Sequence, residues 1–132
     1  DYAHHPTEIK ASLEALKNSS YNQLWCVFQP HTYTRTKYLL NDFATAFSRA
    51  DKVIVPDIYA AREKNTGSIH STDLVEALIK NGIDAKYMSS FASIENFLLE
   101  NAKSGDIIVT MGAGNVYAIG DTLLETDEKK AI

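Results

Sequence analysis

Four short β-prone runs, at 24–28, 52–55, 85–88 and 107–110, alternate along the chain with segments whose apolar residues recur at helical spacing. No other feature constrains the fold as strongly. Strands joined through single helices require right-handed crossovers, and hence a parallel sheet covered on both faces. Helices are expected at 6–18, where Ile9, Leu13 and Leu16 share a face, and at 36–49, through Leu39, Leu40, Phe43 and Phe47. Three more run through Leu74, Val75, Leu78 and Ile79, through Ile94, Phe97 and Leu98, and over 115–125. The order is αβαβαβαβα, an α/β arrangement that 132 residues can complete once but not twice.

Local chemistry marks several boundaries. Pro6 suits the first position of a helix and forces His5 into an extended conformation, so the first helix begins where the histidine pair ends. Ser71 or Thr72 is expected to cap the third helix, and Gly82 to stop it. Residues 56–69 have no period and form a loop of a length that is uncommon unless functional.

Charge and cysteine content remove whole classes of function. Thirteen Lys and Arg against seventeen Asp and Glu leave a net charge of −4, the wrong sign for a nucleic-acid binder. The single cysteine, Cys26, lies within the apolar run 24–28 and reads as a small buried thiol suited to a reducing cytosol. No apolar stretch approaches the roughly 18 residues of a membrane span, and DYAHHPTE at 1–8 is not a signal peptide. The chain begins without Met, so we expect a domain excised from a longer protein.

In an open parallel sheet, ligands bind beyond the carboxyl ends of the strands. The topology places there residues 29–36, 57–63, 89–90 and 111–115, together with 1–8 at the start of the first helix. That rim offers helix N-termini after Pro6, Arg35 and Gly114, which attract anions, and the Arg35 guanidinium, which can grip a carboxylate or phosphate with two parallel bonds. Equally, Thr34 or Thr36 serves only as a cap and Arg35 as a solvated charge. Gly112-Ala113-Gly114 either opens a dinucleotide fingerprint, lacking its third glycine because Tyr117 stands there, or simply allows a tight strand-to-helix turn. His4, His5 and His31 invite zinc, but no second cysteine and no His-x-x-x-His spacing accompanies them, so no metal site is expected. His70 reads as a loop residue without a role. No phosphate loop, nucleophile elbow or cysteine–histidine pair is present, so no catalytic residue is assigned; a rim of anion-holding groups without an engine fits a domain that completes a site housed elsewhere.

Four motifs, DYAHHPTE at 1–8, FQPHTYTRT at 28–36, VPDIYAARE at 55–63 and TMGAGN at 110–115, carry a resemblance covering nearly the whole chain. The chain resembles the C-terminal domain of the peptidoglycan-building Mur ligases, in the branch that joins L-alanine to UDP-N-acetylmuramate. The resemblance implies a Rossmann-like third domain, spanning 1–132, that closes over a central ATPase domain and a UDP-sugar domain of the same chain in the bacterial cytoplasm. It implies ATP and Mg2+ in the full-length enzyme, with neither bound tightly by this piece, which would be inactive alone for want of a phosphate loop. The implied reaction activates the muramate carboxylate as an acyl phosphate, which the amine of L-alanine attacks. Tyr2, His4, His31 and Arg35 then match substrate-binding positions, and Asp1 an acidic position near the ATP ribose. Thr32 departs from relatives that have arginine there, and one acidic residue stands where the motif usually begins with two. The related ligase that recycles a muramyl tripeptide is the nearest alternative, although its relatives tend to have Phe at Tyr2 and to lack Glu8. Stand-alone nucleotide- or flavin-binding modules and a purely structural domain are the others.

Overall fold

The computed structural model describes residues 1–130, and side chains as far as residue 126, so the last two positions of the expected 1–132 domain lie outside the described residues. The elements are α1 (Pro6–Leu16), β1 (Leu24–Phe28), α2 (Tyr33–Tyr38), α3 (Leu40–Ala44), β2 (Lys52–Val55), α4 (Ser71–Lys80), β3 (Asp84–Tyr87), α5 (Phe91–Asn101), β4 (Ile107–Met111) and α6 (Tyr117–Lys130). The strands form one sheet in the order β3-β2-β1-β4, parallel at every pairing. The expected α/β class and parallel sheet are therefore what the chain adopts.

Burial follows the two-residue period of the strands. Leu24, Cys26 and Phe28 of β1 face one core with Ile9 and Leu13 of α1, Phe43 and Phe47, and Leu74 and Leu78 of α4. Trp25 and Val27 face the other, with Ile94 and Leu98 of α5 and Val116, Ile119 and Leu123. Every residue of β1 is buried, as befits a central strand covered on both sides. At the amino end of the sheet, Asp106 accepts hydrogen bonds from Trp25 Nε1 at 3.0 Å and from the backbone N–H groups of Gln23 and Lys103. Those bonds, the Lys103 N–H and the indole N–H foremost, hold the Asp106 carboxyl below its ordinary pKa.

Three local expectations need correction. The helix expected at 36–49 is two short helices, α2 and α3, parted at Leu39. It starts earlier because Thr32, rather than Thr34 or Thr36, is the cap, its hydroxyl accepting from the Arg35 N–H at 3.2 Å. After Ala44 the chain turns, which carries Phe47 onto Phe28 with ring centroids 5.2 Å apart. Second, α4 is capped by His70, whose Nδ1 accepts from the Thr72 N–H while Asp73 accepts from the His70 N–H. Ser71 cannot serve, because its hydroxyl is buried and donates to the Pro56 carbonyl at 2.6 Å. Third, α6 begins at Tyr117 rather than 115 and runs beyond 125. The first helix begins as expected: His5 is extended (φ −106°, ψ 144°) with Pro6 in the first turn.

Candidate functional site

The sheet order defines where a ligand crevice opens. From β1 the chain adds β2 and β3 on one side and then β4 on the other, so the carboxyl ends of β1 and β4 flank a topological switch point. Gln29 leaves β1 there, and Gly112 leaves β4. The backbone of 1–3 lies across the same point, since the Gly112 N–H donates to the Asp1 carbonyl at 3.1 Å and the Asp1 carboxylate accepts from the Ala3 N–H at 2.8 Å.

An aromatic row grows from this anchor. The Tyr2 ring meets His4 edge-on at 5.6 Å, His4 meets His31 edge-on at 6.0 Å, and His31 stacks on Tyr59 at 5.4 Å with 26° between planes. The two histidine motifs, 27 positions apart in the chain, thus share one lip. His5 is not part of it: its Nδ1 accepts from the Thr7 N–H, and Glu8 accepts from the N–H groups of His4 and His5 to close the cap. Those two N–H groups, His4 first, keep the Glu8 carboxyl below its usual pKa.

Arg35 stands in α2, near enough for its charge to act on His31. Burial, then the charges of Arg35 and His4, push the His31 pKa down, with Glu63 opposing, so His31 favours its neutral form. Among the described residues, three side-chain polar atoms are buried without a hydrogen-bond partner: Gln29 Oε1, His31 Nδ1 and Arg35 Nη1. All three belong to the segment that follows β1. Buried polar groups are ordinarily satisfied, and leaving one unpaired costs about 1–3 kcal/mol. An acceptor, a ring nitrogen and a guanidinium N–H are thus grouped, buried and unpaired, in the segment that leaves β1 at the switch point.

The helix N-termini do not contribute equally. At α2 the Glu63 carboxylate already accepts from the N–H groups of Tyr33 at 2.7 Å and Thr34 at 3.1 Å, and at α1 His5 and Glu8 close the end. The expected anion capacity of those two ends is therefore spent internally. Gly114, ahead of α6, is glycine for a packing reason: an added Cβ would lie 2.9 Å from the Tyr59 ring and 3.2 Å from Gln29 Oε1.

Gln29, Tyr59 and Glu63 were not singled out from the sequence as site residues. The signal for Gln29 was available, a polar residue ending a fully apolar strand. Tyr59 and Glu63 lie in the 57–63 segment expected on the rim, but their partners are remote in sequence, so nothing along the chain distinguished them from their neighbours. A groove of about 680 Å³ lies next to the lip, lined by Tyr33, Thr34, Lys37, Tyr38, Glu63 and Lys64, but neither His4, His31 nor Arg35 reaches it. Among the described residues, no group of three or more His, Cys, Asp or Glu side chains is placed to hold a metal ion.

Comparison with known proteins fits this geometry. The sequence profile of the family described as "Mur ligase, glutamate ligase domain" matches residues 1–114. UDP-N-acetylmuramate L-alanine ligase of Acetivibrio thermocellus is 54% identical over 132 residues, and that of Lachnoclostridium phytofermentans 56% identical over 125. These alignments cover 100% and 95% of this chain but 28% and 27% of the relatives, so the chain spans little more than a quarter of their length. Among solved structures, UDP-N-acetylmuramate-alanine ligase of Thermotoga maritima superposes with a TM-score of 0.76 at 24% identity, over 98% of this chain and 26% of that one, and shows the shared fold. A murein peptide ligase of Psychrobacter arcticus does so with a TM-score of 0.75 at 27% identity, over 95% and 26%. With the profile matched across 1–114 and identity above one half over its whole length, the chain belongs to the Mur ligase family, as its glutamate ligase domain.

Proposed function

We propose that residues 1–132 form the C-terminal, third domain of an ATP-dependent ligase that joins L-alanine to UDP-N-acetylmuramate in bacterial peptidoglycan synthesis. The observation that carries this reading is the unpartnered trio of Gln29, His31 and Arg35, set on the switch-point rim of a domain whose 132 residues are 54% identical to 28% of a ligase of that name. Arg35 supplies the charge that holds a carboxylate, of the incoming amino acid or of the muramate. His31, neutral and stacked on Tyr59, offers Nδ1 as a hydrogen-bonding group, and His4 and Tyr2 continue the wall. Asp1 has one carboxylate oxygen committed to Ala3 and the other free for a hydroxyl such as that of a ribose. ATP and Mg2+ act in the full-length protein, held by a phosphate loop that this segment lacks, and the rim closes over that centre in the bacterial cytoplasm. Among the described residues no helix is long and apolar enough to cross a membrane. Tyr2 and Glu8 favour this reading over the tripeptide-recycling ligase, whose fold is equally close.

The test is Arg35→Ala in the full-length protein. Removing one preorganised charge donor is expected to cost about 2–4 kcal/mol of transition-state stabilisation, read as a fall in kcat/KM. An unchanged kcat/KM for L-alanine ligation removes Arg35 from the site. A calorimetric titration of the domain alone with ATP is expected to show weak binding, and tight binding would favour a stand-alone nucleotide module instead.

A further inference from the structure

Thr32 is a β-branched residue at φ 67°, ψ 147°, a conformation such residues rarely adopt. It persists only because its surroundings over-determine it. The Thr32 N–H donates to the Tyr59 carbonyl at 2.8 Å, the Tyr59 N–H donates to the Pro30 carbonyl at 2.9 Å, and the Thr32 carbonyl accepts from the Thr36 hydroxyl at 2.7 Å. These bonds set the direction in which α2 leaves the sheet, and Arg35 is the third residue of that helix.

Glu63 closes the arrangement from the other side. Its Oε1 accepts from the N–H groups of Tyr33 and Thr34, and its Oε2 accepts from the Thr34 hydroxyl at 2.6 Å. Glu63 is delivered by a tight turn in which its own N–H donates to the Ala60 carbonyl and Ala61 sits at φ 56°, a second non-glycine residue in the left-handed region. With the Arg35 N–H taken by the Thr32 hydroxyl, each of the first three N–H groups of α2 has an acceptor, two of them from one side chain 30 residues away. A helix of six residues has little cohesion of its own, so its position follows its end contacts.

We propose that Glu63 is a positioning residue: by seating its carboxylate on Tyr33 and Thr34, it locks the 57–69 loop to α2 and so aims the Arg35 guanidinium into the site. The inference rests on the reading of Arg35 given above and acts through it. It also gives the loop a role at the site: the loop stacks Tyr59 on His31 and carries Glu63 to the N-terminus of the helix that bears Arg35.

The experiment is a double-mutant cycle in the full-length protein. Glu63→Ala is expected to lower kcat/KM for L-alanine about tenfold when Arg35 is present and less than about twofold when Arg35 is already Ala, because groups acting through one another are not additive. Glu63→Gln, which keeps an acceptor for the two N–H groups, is expected to recover most of the loss. Equal losses in both backgrounds, or no loss at all, overturn the inference. Hydrogen exchange of residues 32–38 gives a reading independent of activity: Glu63→Ala speeds it while exchange in α4 stays as before, and unaltered exchange at 32–38 also overturns the inference. If Glu63→Ala does not fold, Glu63→Asp, whose carboxylate stops one carbon short of the two N–H groups, enters the same cycle with the same outcomes. An Arg35→Ala protein as active as the wild type refutes the site reading, whereas an impaired Arg35→Ala with additive Glu63→Ala refutes only the positioning role.

Discussion

Gly114→Ala isolates the packing that holds the Tyr59 ring against His31. Gly114 lies outside the positive-φ region, so alanine meets no backbone strain and should gain about 0.4–1 kcal/mol by restricting the unfolded chain. Against that, its Cβ would stand 2.9 Å and 3.0 Å from Tyr59 Cδ2 and Cγ, where carbons cannot rest. Tyr59 is 38% exposed and can swing outward, so the cost is lost stacking on His31, about 0.5–1.5 kcal/mol, plus residual crowding, together within the about 1–3 kcal/mol seen for overpacked sites. The net expectation is a destabilisation of about 1 kcal/mol, a fall in Tm of about 4 °C for a chain this size. The assay is thermal unfolding of wild type, Gly114→Ala, Tyr59→Ala and the double variant. With the ring removed, only Gln29 Oε1 at 3.2 Å still crowds the Cβ, so the alanine should cost little or stabilise, giving a coupling of about 1 kcal/mol. Gly114→Ala costs that agree in both backgrounds within about 0.3 kcal/mol would refute the reasoning. Gly112→Ala is the contrast, since its Cβ would meet the Gln29 carbonyl oxygen at 3.1 Å, and removing Tyr59 cannot relieve a backbone obstacle.

Other consequences follow from the core and the titrating groups. Phe47→Ala should cost about 3–5 kcal/mol, read from the shift of the urea midpoint, because the ring is fully buried against Phe28 and Phe43's cluster; a loss below about 1 kcal/mol would mean that the core collapses around the void. His31 has its pKa lowered in the fold from the ordinary 6.5, so below that pH the unfolded chain binds more protons and stability falls with acidification. Replacing His31 by Gln should flatten that dependence in urea titrations between pH 7.5 and 5, roughly the window of histidine titration, and an unchanged slope contradicts it. Burial pushes the Cys26 thiol up to about 12, so iodoacetamide should label it only at the rate of global unfolding. Prompt labelling of the native chain is the opposing result.

How much of this was legible beforehand depends on the range of the interactions involved. The parallel α/β class, the buried Cys26, the start of α1 at Pro6 and the rim bearing 1–8, 29–36 and 111–115 all follow from periodicity and near-neighbour chemistry. Those effects act within one turn or one strand, and a reader of the chain has every participant in view. The resemblance to the Mur ligases likewise needed only contiguous motifs.

The tertiary structure alone decided the strand order β3-β2-β1-β4, the split between α2 and α3, and which groups cap which helix. Ser71 is as good a capping residue as any, yet its hydroxyl went to Pro56 and the cap fell to His70. Glu63 looks like one more surface carboxylate until the fold sets it on the N–H groups of α2. A hydrogen-bonding group takes the best partner within about 3 Å, and which partners stand at that distance is settled by packing across the sheet rather than by spacing along the chain.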